Sequence, residues 1–460
     1  MRPLRVAVVG TGPAGAYTAA HLLRAGVGAE LELLDRLPTP WGLVRAGVAP
    51  DHQDTKAITR SFDWVAADPA VRLRLDVDVG RDVTHEELLQ CHDAVVYAVG
   101  AGGSRRLGLP GEELPGSLAA TDVVAWYNGH PAAAGLGPDL SHERAVVVGN
   151  GNVALDVARV LVRDVEALRR TDIADHALDA LAGSAVREVV VLGRRGPAQA
   201  AFTSPELRAL LDLEEVDVVV EPADAVHAAL DEPLPADPAR AYGVRLKVDL
   251  LREALGRRPR AGRRRIVLRF FSAPSALVGS DRVEGLEVER TAVVAQADGS
   301  TTVAPRGVGE RLPAGLVVRA IGYAAQAVPG LPFDPAAAIV RNVAGRVEGR
   351  PGTYVAGWVK RGPSGVIGTN KRCAAQTVRA LLDDLGGGAR TGPQGGRGDL
   401  EELLAARRPE AIGLAGWRAI DAHETTAGRR QGRPRVKLAD LGALRAVAAG
   451  ASTPTAQATA

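Results

Sequence analysis

Two short apolar runs, residues 5–9 (RVAVV) and 145–148 (AVVV), are rich in β-branched side chains, a pattern that predicts buried strands. Each run leads directly into a glycine-rich turn, GTGPAG at residues 10–15 and GNGNVA at residues 149–154, and then into a stretch of helix-forming residues. The pattern therefore predicts two strand-turn-helix units that begin about 140 residues apart.

The glycine-rich turns have the spacing of dinucleotide-binding turns. In such a unit the first glycine allows a tight turn, the second lets the backbone approach a pyrophosphate, and a third small residue lets the helix pack closely on the strand. The phosphate charge then lies at the helix N-terminus. One turn of this kind is a weak signal, because it can simply pack a helix on a sheet, but two in the same context predict two dinucleotide sites.

The residue after the next strand suggests what the first site binds. The apolar strand at residues 31–34 ends at Asp35, whose carboxylate can accept hydrogen bonds from ribose hydroxyls and would repel a 2′-phosphate. The first site is therefore predicted to bind FAD or NAD.

The second unit differs at the equivalent position. Its next strand, residues 188–192 (EVVVL), runs into Arg194 and Arg195. Two guanidinium groups suit a 2′-phosphate, because each charge-assisted hydrogen bond contributes about 1.5–3 kcal/mol. The second site is therefore predicted to bind NADPH, with residues 163–184 as an inserted helical segment. The alternative interpretation of the arginine pair is a solvated surface charge run.

The whole pattern predicts an α/β fold with two Rossmann-like dinucleotide-binding domains. A hairpin-like stretch at residues 71–83 precedes an apolar strand at residues 93–99, and a similar strand begins at Leu316. The chain should then return to the first domain, which makes that domain discontinuous. The expected bounds are residues 1–104 and 324–460 for an FAD-binding domain, and 105–323 for an NADP-binding domain.

Composition agrees with a two-domain redox enzyme. A chain of 460 residues exceeds what one core usually supports, and its net charge of +2 gives no argument for nucleic-acid binding. The two cysteines, Cys91 and Cys373, are far apart and provide no disulfide scaffold, iron-sulfur cluster or redox dithiol.

No apolar run reaches the ~18 residues that span a bilayer, so we expect no membrane segment and a cytoplasmic protein. A monomer is the default expectation. The most basic stretch is at residues 252–265, and the low-complexity tail at residues 452–460 is expected to be disordered.

Longer loop motifs are more specific than the glycine turns. They are PTPWGLVRAGVAPDH at residues 38–52, GNGNVALDV at 149–157, RRGP at 194–197 continuing through 202–207, VAGWVKRGPSGVIGTNK at 355–371, and GRPRVK at 432–437. With these motifs the chain resembles the adrenodoxin reductase-type NADPH-ferredoxin reductases, flavoproteins of bacteria and mitochondria, over nearly its whole length.

The resemblance implies FAD in the first domain and NADP(H) in the second, and no metal. The residues implied for FAD are Gly10, Gly12, Ala14, Gly15, Asp35, Leu43, Val77, Val79, Trp358, Gly365, Val366 and Ile367. Those implied for NADP(H) are Asn150, Gly151, Asn152, Val153, Arg194, Arg195, Glu206 and Gly365. Relatives usually carry Glu where this chain has Asp35, which is one methylene shorter.

Three residues are candidates for a part in hydride transfer: His52, Glu206 and Gly365. Gly365 has no side chain, so the nicotinamide can lie flat on the flavin. His52 can donate to a flavin carbonyl or to the nicotinamide, although a lone loop histidine is more often structural. Where relatives can carry a second Glu three residues after Glu206, this chain has Ala209, so no carboxylate partner for His52 is expected from that position.

The implied reaction is hydride transfer from NADPH to FAD, followed by one-electron transfers to the iron-sulfur cluster of a ferredoxin. Ferredoxins are typically acidic, so a basic docking face is expected. The candidates for that face are Arg252, Arg257, Arg258, Arg260, Arg263, Arg264 and Arg265. A solvated hairpin is the alternative interpretation of this stretch.

Other classes of protein stay open at this point. A glutamate-synthase small-subunit-like flavoprotein would want a cysteine-rich segment, and a thioredoxin reductase-like one a C-x-x-C motif, and the sequence has neither. A flavin monooxygenase or amine oxidase would need a substrate pocket, and a non-enzymatic nucleotide sensor would bind NADPH without reducing a flavin.

Overall fold

The computed structural model describes residues 2–231, 237–296, 301–386 and 397–450, so the tail at residues 452–460 lies outside the described residues. The chain divides into two compact units. The first comprises Met1–Gly103, Asn128–Pro131 and Tyr323–Ala460, and the second comprises Ser104–Tyr127 and Ala132–Gly322. The first unit is therefore discontinuous in the chain.

The strands of the described residues are short, as is usual in α/β proteins. In chain order they are β1 (Leu4–Val9), β2 (Ala29–Asp35), β3 (Val71–Leu75), β4 (Ala94–Tyr97), β5 (Gly103–Ser104), β6 (Ser117–Ala119), β7 (Arg144–Val148), β8 (Glu188–Leu192), β9 (Val216–Glu221), β10 (Arg264–Arg269), β11 (Ser272–Val278), β12 (Gly285–Ala295), β13 (Thr301–Pro313), β14 (Leu316–Arg319), β15 (Tyr323–Ala324), β16 (Phe333–Asp334), β17 (Ile339–Val340), β18 (Asn342–Val343), β19 (Arg346–Val347) and β20 (Thr353–Val355).

The helices range from single turns to twenty residues. In chain order they are α1 (Pro13–Arg24), α2 (Leu43–Ala46), α3 (Gln53–Lys56), α4 (Thr59–Ala66), α5 (His85–Cys91), α6 (Ala120–Tyr127), α7 (Asn152–Val162), α8 (Val165–Arg169), α9 (Asp175–Ala182), α10 (Ser204–Leu211), α11 (Ala223–Leu230), α12 (Pro238–Gly256), α13 (Trp358–Arg361), α14 (Ile367–Gly386), α15 (Arg397–Arg407), α16 (Leu414–Arg430) and α17 (Leu441–Gly450), with 3₁₀ turns at Pro131–Ala133 and Pro197–Gln199.

The first unit is built on one large sheet with the order β18-β19-β20-β4-β1-β2-β3 in the described part of the chain. From β20 to β3 the strands are parallel, and Val9 of β1 lies beside Leu34 of β2 and Tyr97 of β4. β18 and β19 pair antiparallel at one edge.

Alternate residues of β1 supply two cores. Val6 and Val8 pack with helices α1, α4, α14, α16 and α17 on one face, whereas Ala7 and Val9 pack with α5 and α15 on the other. A strand buried on both faces needs a continuous apolar run, which explains RVAVV at the start of the chain.

The second unit contains a sheet whose described strands have the order β6-β14-β7-β8-β10-β9 and are all parallel. Ala145 and Val147 of β7 pack against helices that include α7, α9, α10 and α12. Val146 and Val148 point to the other face, where the core is completed by the antiparallel sheet β11-β12-β13. The α/β class and the two Rossmann-like sheets predicted from the sequence are therefore confirmed.

One local prediction and one alternative interpretation are wrong. Residues 71–83 do not form a hairpin, because β3 pairs in parallel with β2 and ends at Leu75, where Asp76 takes a positive φ of 60°. Residues 252–265 are not a hairpin either: they are the end of α12, a loop and the start of β10. The inserted segment at residues 163–184 does contain helices, α8 and α9, as predicted.

Among the described residues, no helix combines the length and the apolar character that a bilayer crossing requires.

Candidate functional site

The first glycine-rich turn joins β1 to α1 and leaves no room for side chains at two positions. Gly10 has a φ of +100°, and a Cβ built on it would lie 2.6 Å from the carbonyl oxygen of Ala98. A Cβ on Gly15 would lie 1.9 Å from the carbonyl oxygen of Gly10. Both glycines are thus required by the close packing of helix on strand, as the sequence predicts.

At Gly12, the second position of that turn, the space in front of the backbone is more open. A Cβ there would meet its nearest atom, the Cα of Gly42, at 3.9 Å. Gly12 also caps α1 without a side-chain hydrogen bond, so backbone N–H groups at the helix N-terminus remain available to an anion. The turn therefore fits a pyrophosphate.

Asp35 stands at the end of β2, and its carboxylate holds the turn. Oδ2 accepts hydrogen bonds from the backbone N–H and the hydroxyl of Thr11, at 2.9 and 2.6 Å, and Oδ1 accepts one from the N–H of Leu37 at 3.1 Å. A carboxylate has about four acceptor positions, so capacity for a ribose hydroxyl remains. Thr11 was not among the residues predicted from the sequence. The only signal that could have identified it is its hydroxyl group one residue after the first glycine of the turn.

The loop after β2 packs directly on the turn. Gly42 has a φ of +48°, and a Cβ there would lie 3.1 Å from the Cα of Gly12. Trp41, buried against Phe62 at a ring distance of 5.6 Å, also takes a positive φ, of 78°. Two consecutive left-handed residues bring Leu43, the first residue of α2, next to the cradle. A non-glycine residue in this conformation is held by its surroundings and marks a site worth explaining.

A second turn, residues 357–367, reaches the same helix N-terminus. A Cβ on Gly357 would lie 2.6 Å from the Cβ of Ala14, so Ala14 and this turn are in close contact. The indole N–H of Trp358 donates to the carbonyl of Ser364 at 3.2 Å, and its ring lies 5.2 Å from that of Tyr323.

Gly365 is exposed and has a φ of +79°. A Cβ there would lie 2.6 Å from the hydroxyl of Thr369, which accepts the N–H of Val366 at 3.2 Å. This link precedes α14, which begins at Ile367. Two thirds of the Val366 side chain is exposed, so an apolar surface is presented beside a bare backbone at this turn.

Three further residues predicted for the first unit fall in loops. His52 precedes α3, and its carbonyl accepts the N–H of Lys56 at 3.1 Å. Val77 and Val79 come after the end of β3, so neither lies in a strand, contrary to the hairpin-like stretch predicted at residues 71–83. The N–H of Val77 donates to the carbonyl of Asp35 at 2.9 Å, and the Val77 side chain is buried in the core. Val77 can therefore present only its backbone beside Asp35.

The second glycine-rich turn joins β7 to α7. Gly149 has a φ of +124°, and a Cβ on it would lie 2.3 Å from the carbonyl oxygen of Ala320. A Cβ on Gly151, by contrast, would meet nothing within 4 Å. Gly151 caps α7 without a side-chain hydrogen bond, so the N-terminus of this helix is also open to an anion.

The two asparagines of this turn fix the neighbouring loop. The carbonyl of Asn150 accepts the N–H of Phe202 at 2.9 Å, and the side chain of Asn152 accepts the N–H of Thr203 at 2.8 Å. Val153 packs at the edge of the core. The turn is thus tied to the segment that leads into α10.

Arg194 and Arg195 follow β8 as predicted. Arg194 is exposed, and its carbonyl accepts the hydroxyl of Thr291 at 2.8 Å, which fixes the backbone while leaving the guanidinium in solvent. The Nε of Arg195 is buried and has no hydrogen-bond partner in the protein. A buried donor without a partner costs about 1–3 kcal/mol, so this N–H is suited to donate a hydrogen bond to a ligand oxygen.

Glu206 lies on α10 beside a buried ion pair that sequence reasoning missed. Arg159, of which only 2% of the side chain is exposed, donates to Asp156 at 2.7 Å and lies 3.9 Å from the Glu206 carboxylate. Asp156 and Arg159 are three residues apart on α7, a spacing that puts both on one face of the helix, but the spacing alone does not show that the pair is buried. Arg159 therefore holds two carboxylates close to the second cradle.

The basic stretch at residues 252–265 is largely paired within the second unit. Arg252 pairs with Asp231 at 2.8 Å, Arg257 donates to Glu253 at 2.5 Å, and Arg260 pairs with Asp217 at 3.2 Å; Arg265 pairs with Glu188. These carboxylates cancel much of the positive charge that the sequence alone displays.

Comparisons with known proteins agree with the two cradles. The profile of the pyridine nucleotide-disulphide oxidoreductase family matches residues 4–270. The NADPH-ferredoxin reductase FprA of Mycobacterium tuberculosis is 49% identical over 457 residues, which cover 96% of this chain and 99% of that protein. The mitochondrial NADPH:adrenodoxin oxidoreductase of Arabidopsis thaliana is 40% identical over 463 residues, which cover 97% of this chain and 96% of the relative.

A solved structure of M. tuberculosis FprA in complex with NADPH superimposes with a TM-score of 0.93 at 46% identity, covering 98% of this chain and 100% of that one. Identity of this degree over nearly the full length of both chains shows membership of one family, and not only a shared fold. The chain belongs to the pyridine nucleotide-disulphide oxidoreductase family, and within it to the NADPH-ferredoxin reductases of the adrenodoxin reductase type.

Proposed function

We propose that this protein is an FAD-containing NADPH-ferredoxin oxidoreductase. One observation carries the proposal: the helices that begin after Gly12 and Gly151 have open N-termini, and the next strand in each unit ends in side chains of opposite charge. The first strand ends in the carboxylate of Asp35, and the second in the guanidinium groups of Arg194 and Arg195. Family membership supports the same reading.

The first cradle fits FAD. A pyrophosphate would be held by the backbone N–H groups at the start of α1, and the adenosine ribose by Asp35, with Ala14 and Leu43 lining the path. Trp358 and the exposed turn at Gly365 would lie at the flavin end. When bound, FAD supplies the conversion of a two-electron hydride into single electrons.

The second cradle fits NADPH. The pyrophosphate would approach Gly151 and the start of α7, and Arg194 and Arg195 would bind the 2′-phosphate. Two such contacts favour NADPH over NADH by about a hundredfold or more, since each contributes about 1.5–3 kcal/mol. Glu206, held by Arg159, would contact another part of the nucleotide.

The chain's own contribution to hydride transfer is orientation. Gly365 presents bare backbone, which allows a nicotinamide to lie at contact distance from a flavin, and Val366 next to it helps to exclude water. His52 would donate a hydrogen bond to the flavin or the nicotinamide. No nucleophilic side chain is required for the reaction.

The electron acceptor belongs to the ferredoxin or adrenodoxin type. We propose that it is an acidic ferredoxin, that the enzyme acts as a monomer in the cytoplasm, and that neither nucleic acid nor a membrane takes part. Because Arg252, Arg257 and Arg260 are paired with carboxylates, this stretch alone is a weak docking candidate.

Reduction of cytochrome c through added ferredoxin tests the function. With NADPH as donor, we expect turnover that depends on ferredoxin and falls as salt is raised, since the Debye length is already ~8 Å at physiological ionic strength. Turnover without ferredoxin but with oxygen and an oxidised organic product would instead support a monooxygenase. NADPH binding without any flavin reduction would leave only a nucleotide-binding protein.

A further inference from the structure

The GRPRVK motif at residues 432–437 has no role in the proposed reaction, and within the first unit it contacts the motif at residues 38–52. The motif follows α16 and leads to Leu438, which lines the same cavity as Thr39, Gly42 and Arg45. The contact joins residues more than 370 positions apart in the chain.

Glu424 of α16 is the centre of this contact. Its side chain is 0% exposed. Oε2 and Oε1 accept two parallel hydrogen bonds from the guanidinium of Arg45 at 2.8 and 2.6 Å. Arg435 donates to Oε2 at 3.1 Å and the N–H of Leu438 donates to Oε1 at 2.9 Å. All of the acceptor positions of this carboxylate, about four, are therefore used.

Lys437 makes a second connection. Its ammonium group donates to the carbonyl of Arg45 at 3.2 Å and to the side-chain oxygen of Asn128 at 3.0 Å. The same oxygen of Asn128 accepts a hydrogen bond from the ammonium group of Lys56 at 3.0 Å. Lys437, Lys56 and Asn128 are all buried.

These two connections fix both ends of the segment at residues 41–56, which we call the cradle loop. At one end Arg45 lies on α2, two residues after Leu43, and Gly42 packs on Gly12 of the first cradle. At the other end Lys56 closes α3, which begins after His52. The cradle loop has only single-turn helices of its own, so its position depends on what it is anchored to.

We propose that Glu424 and Lys437 are positioning residues for the flavin site: they hold the cradle loop so that Leu43 and His52 face the cofactor. The proposal rests on FAD binding at the first cradle. Removing one partner of a buried ion pair leaves the other charge buried and unpaired, which is destabilising. The intact pair contributes mainly by favouring one specific arrangement of the chain. A displaced cradle loop would therefore weaken FAD binding and misplace His52 even while the sheet stays folded.

The matched control is Glu32, a buried carboxylate in the same unit. It pairs with Arg74 across β2 and β3 at 3.1 Å, and it is not one of the residues that anchor the cradle loop through Arg45 or Lys56. Glu32→Gln therefore removes a buried negative charge without touching the network around Arg45. Lys437→Met provides a second test variant, in which Glu424 and Arg45 keep their pair.

The experiment compares wild type, Glu424→Gln, Lys437→Met and Glu32→Gln as purified full-length proteins. Three quantities are measured: the Kd of FAD from flavin fluorescence during titration of the apoprotein, the midpoint of thermal unfolding, and the rate of flavin reduction by NADPH in FAD-saturated protein. We expect the Kd of FAD to rise about tenfold or more in Glu424→Gln, a change of about 1.4 kcal/mol, and to rise in Lys437→Met as well. The rate of flavin reduction should also fall in both.

Glu32→Gln should lower the unfolding midpoint while its Kd for FAD stays within about twofold of wild type, and its reduction rate should not change. The proposal would be overturned if the Kd of FAD stayed within about twofold of wild type in both test variants. It would also be overturned if Glu32→Gln lost as much affinity for FAD as the test variants at an equal loss of stability. If Glu424→Gln does not fold, Lys437→Met decides the outcome by the same criteria. Wild-type protein that binds no FAD at all would refute the proposed function itself, a result distinct from any difference among variants.

Discussion

Two glycines of the second cradle, Gly149 and Gly151, should respond in opposite ways to the same added methyl group. Gly149 has a φ of +124°, and a Cβ there would lie 2.3 Å from the carbonyl oxygen of Ala320, just after the end of β14. Gly151 has a φ of −92°, a conformation open to any residue, and a Cβ there would meet no protein atom within 4 Å. Gly149 is therefore required by the fold, and Gly151 by the proposed ligand.

The magnitudes follow from these contacts. Gly149→Ala combines a disfavoured backbone conformation, about 1–2 kcal/mol, with overpacking of about 1–3 kcal/mol. At about 2–4 °C per kcal/mol for a domain of this size, a total of about 2–5 kcal/mol should lower the unfolding midpoint of the second unit by about 4–20 °C. Gly151→Ala should change the free energy of unfolding by no more than about 0.5 kcal/mol. It should nevertheless raise the Kd of NADPH by about 10- to 100-fold, because the methyl group blocks a charge-assisted contact with the pyrophosphate.

The assay is differential scanning calorimetry together with NADPH titration of the FAD-loaded protein. FAD content serves as the internal control, since neither change touches the first cradle. A Gly151→Ala variant that binds NADPH as tightly as wild type would refute the placement of the pyrophosphate. A Gly149→Ala variant of unchanged stability would show that the turn can open without cost.

Three further substitutions test separate parts of the account. Arg195→Gln should raise the KM for NADPH by about 10- to 100-fold and leave the KM for NADH nearly unchanged; an equal effect on both would exclude a 2′-phosphate contact. His52→Ala should slow hydride transfer modestly in stopped-flow experiments, and an unchanged rate would make His52 purely structural. His85 lies between the hydroxyls of Tyr97 and Thr353, and burial lowers its pKa. The neutral form of His85 therefore stabilises the fold above pH ~6.5, and this contribution is lost as the pH falls further. In His85→Gln the fall in unfolding midpoint between pH 7 and pH 5 should be smaller than in wild type; an identical fall would contradict this.

The sequence was sufficient for the scaffold because its signals are local. Continuous apolar runs such as RVAVV identify strands buried on both faces, and the glycines at positions 10, 15 and 149 follow the local spacing of a strand-turn-helix unit. The opposite chemistry of Asp35 and Arg194 likewise follows from strand ends that a reader of the sequence can locate.

Features that depend on distant contacts were not predictable from the sequence. Residues 71–83 suggested a hairpin, since alternation alone cannot show that β3 pairs with β2 in parallel. The arginines at residues 252–265 suggested a basic face, because their carboxylate partners, such as Asp217 and Asp231, are separated from them in the chain.

The candidate site shows the same limit. The motif at residues 38–52 was recognised as specific, but its anchoring by Glu424 and Lys437 depends on contacts across most of the chain. Arg159 was missed because a buried charge in an apolar helix is visible only when its neighbours on other helices are known. Long-range ion pairs are the part of this site that the sequence could not supply.

The central claim is that this protein holds one FAD and that NADPH reduces it. Anaerobic addition of NADPH to the purified, FAD-saturated protein tests it most directly. The account predicts that the visible flavin absorbance is lost on mixing and returns when oxidised ferredoxin is added. A protein that stays colourless when offered FAD, or a flavin whose absorbance NADPH does not change, would contradict it.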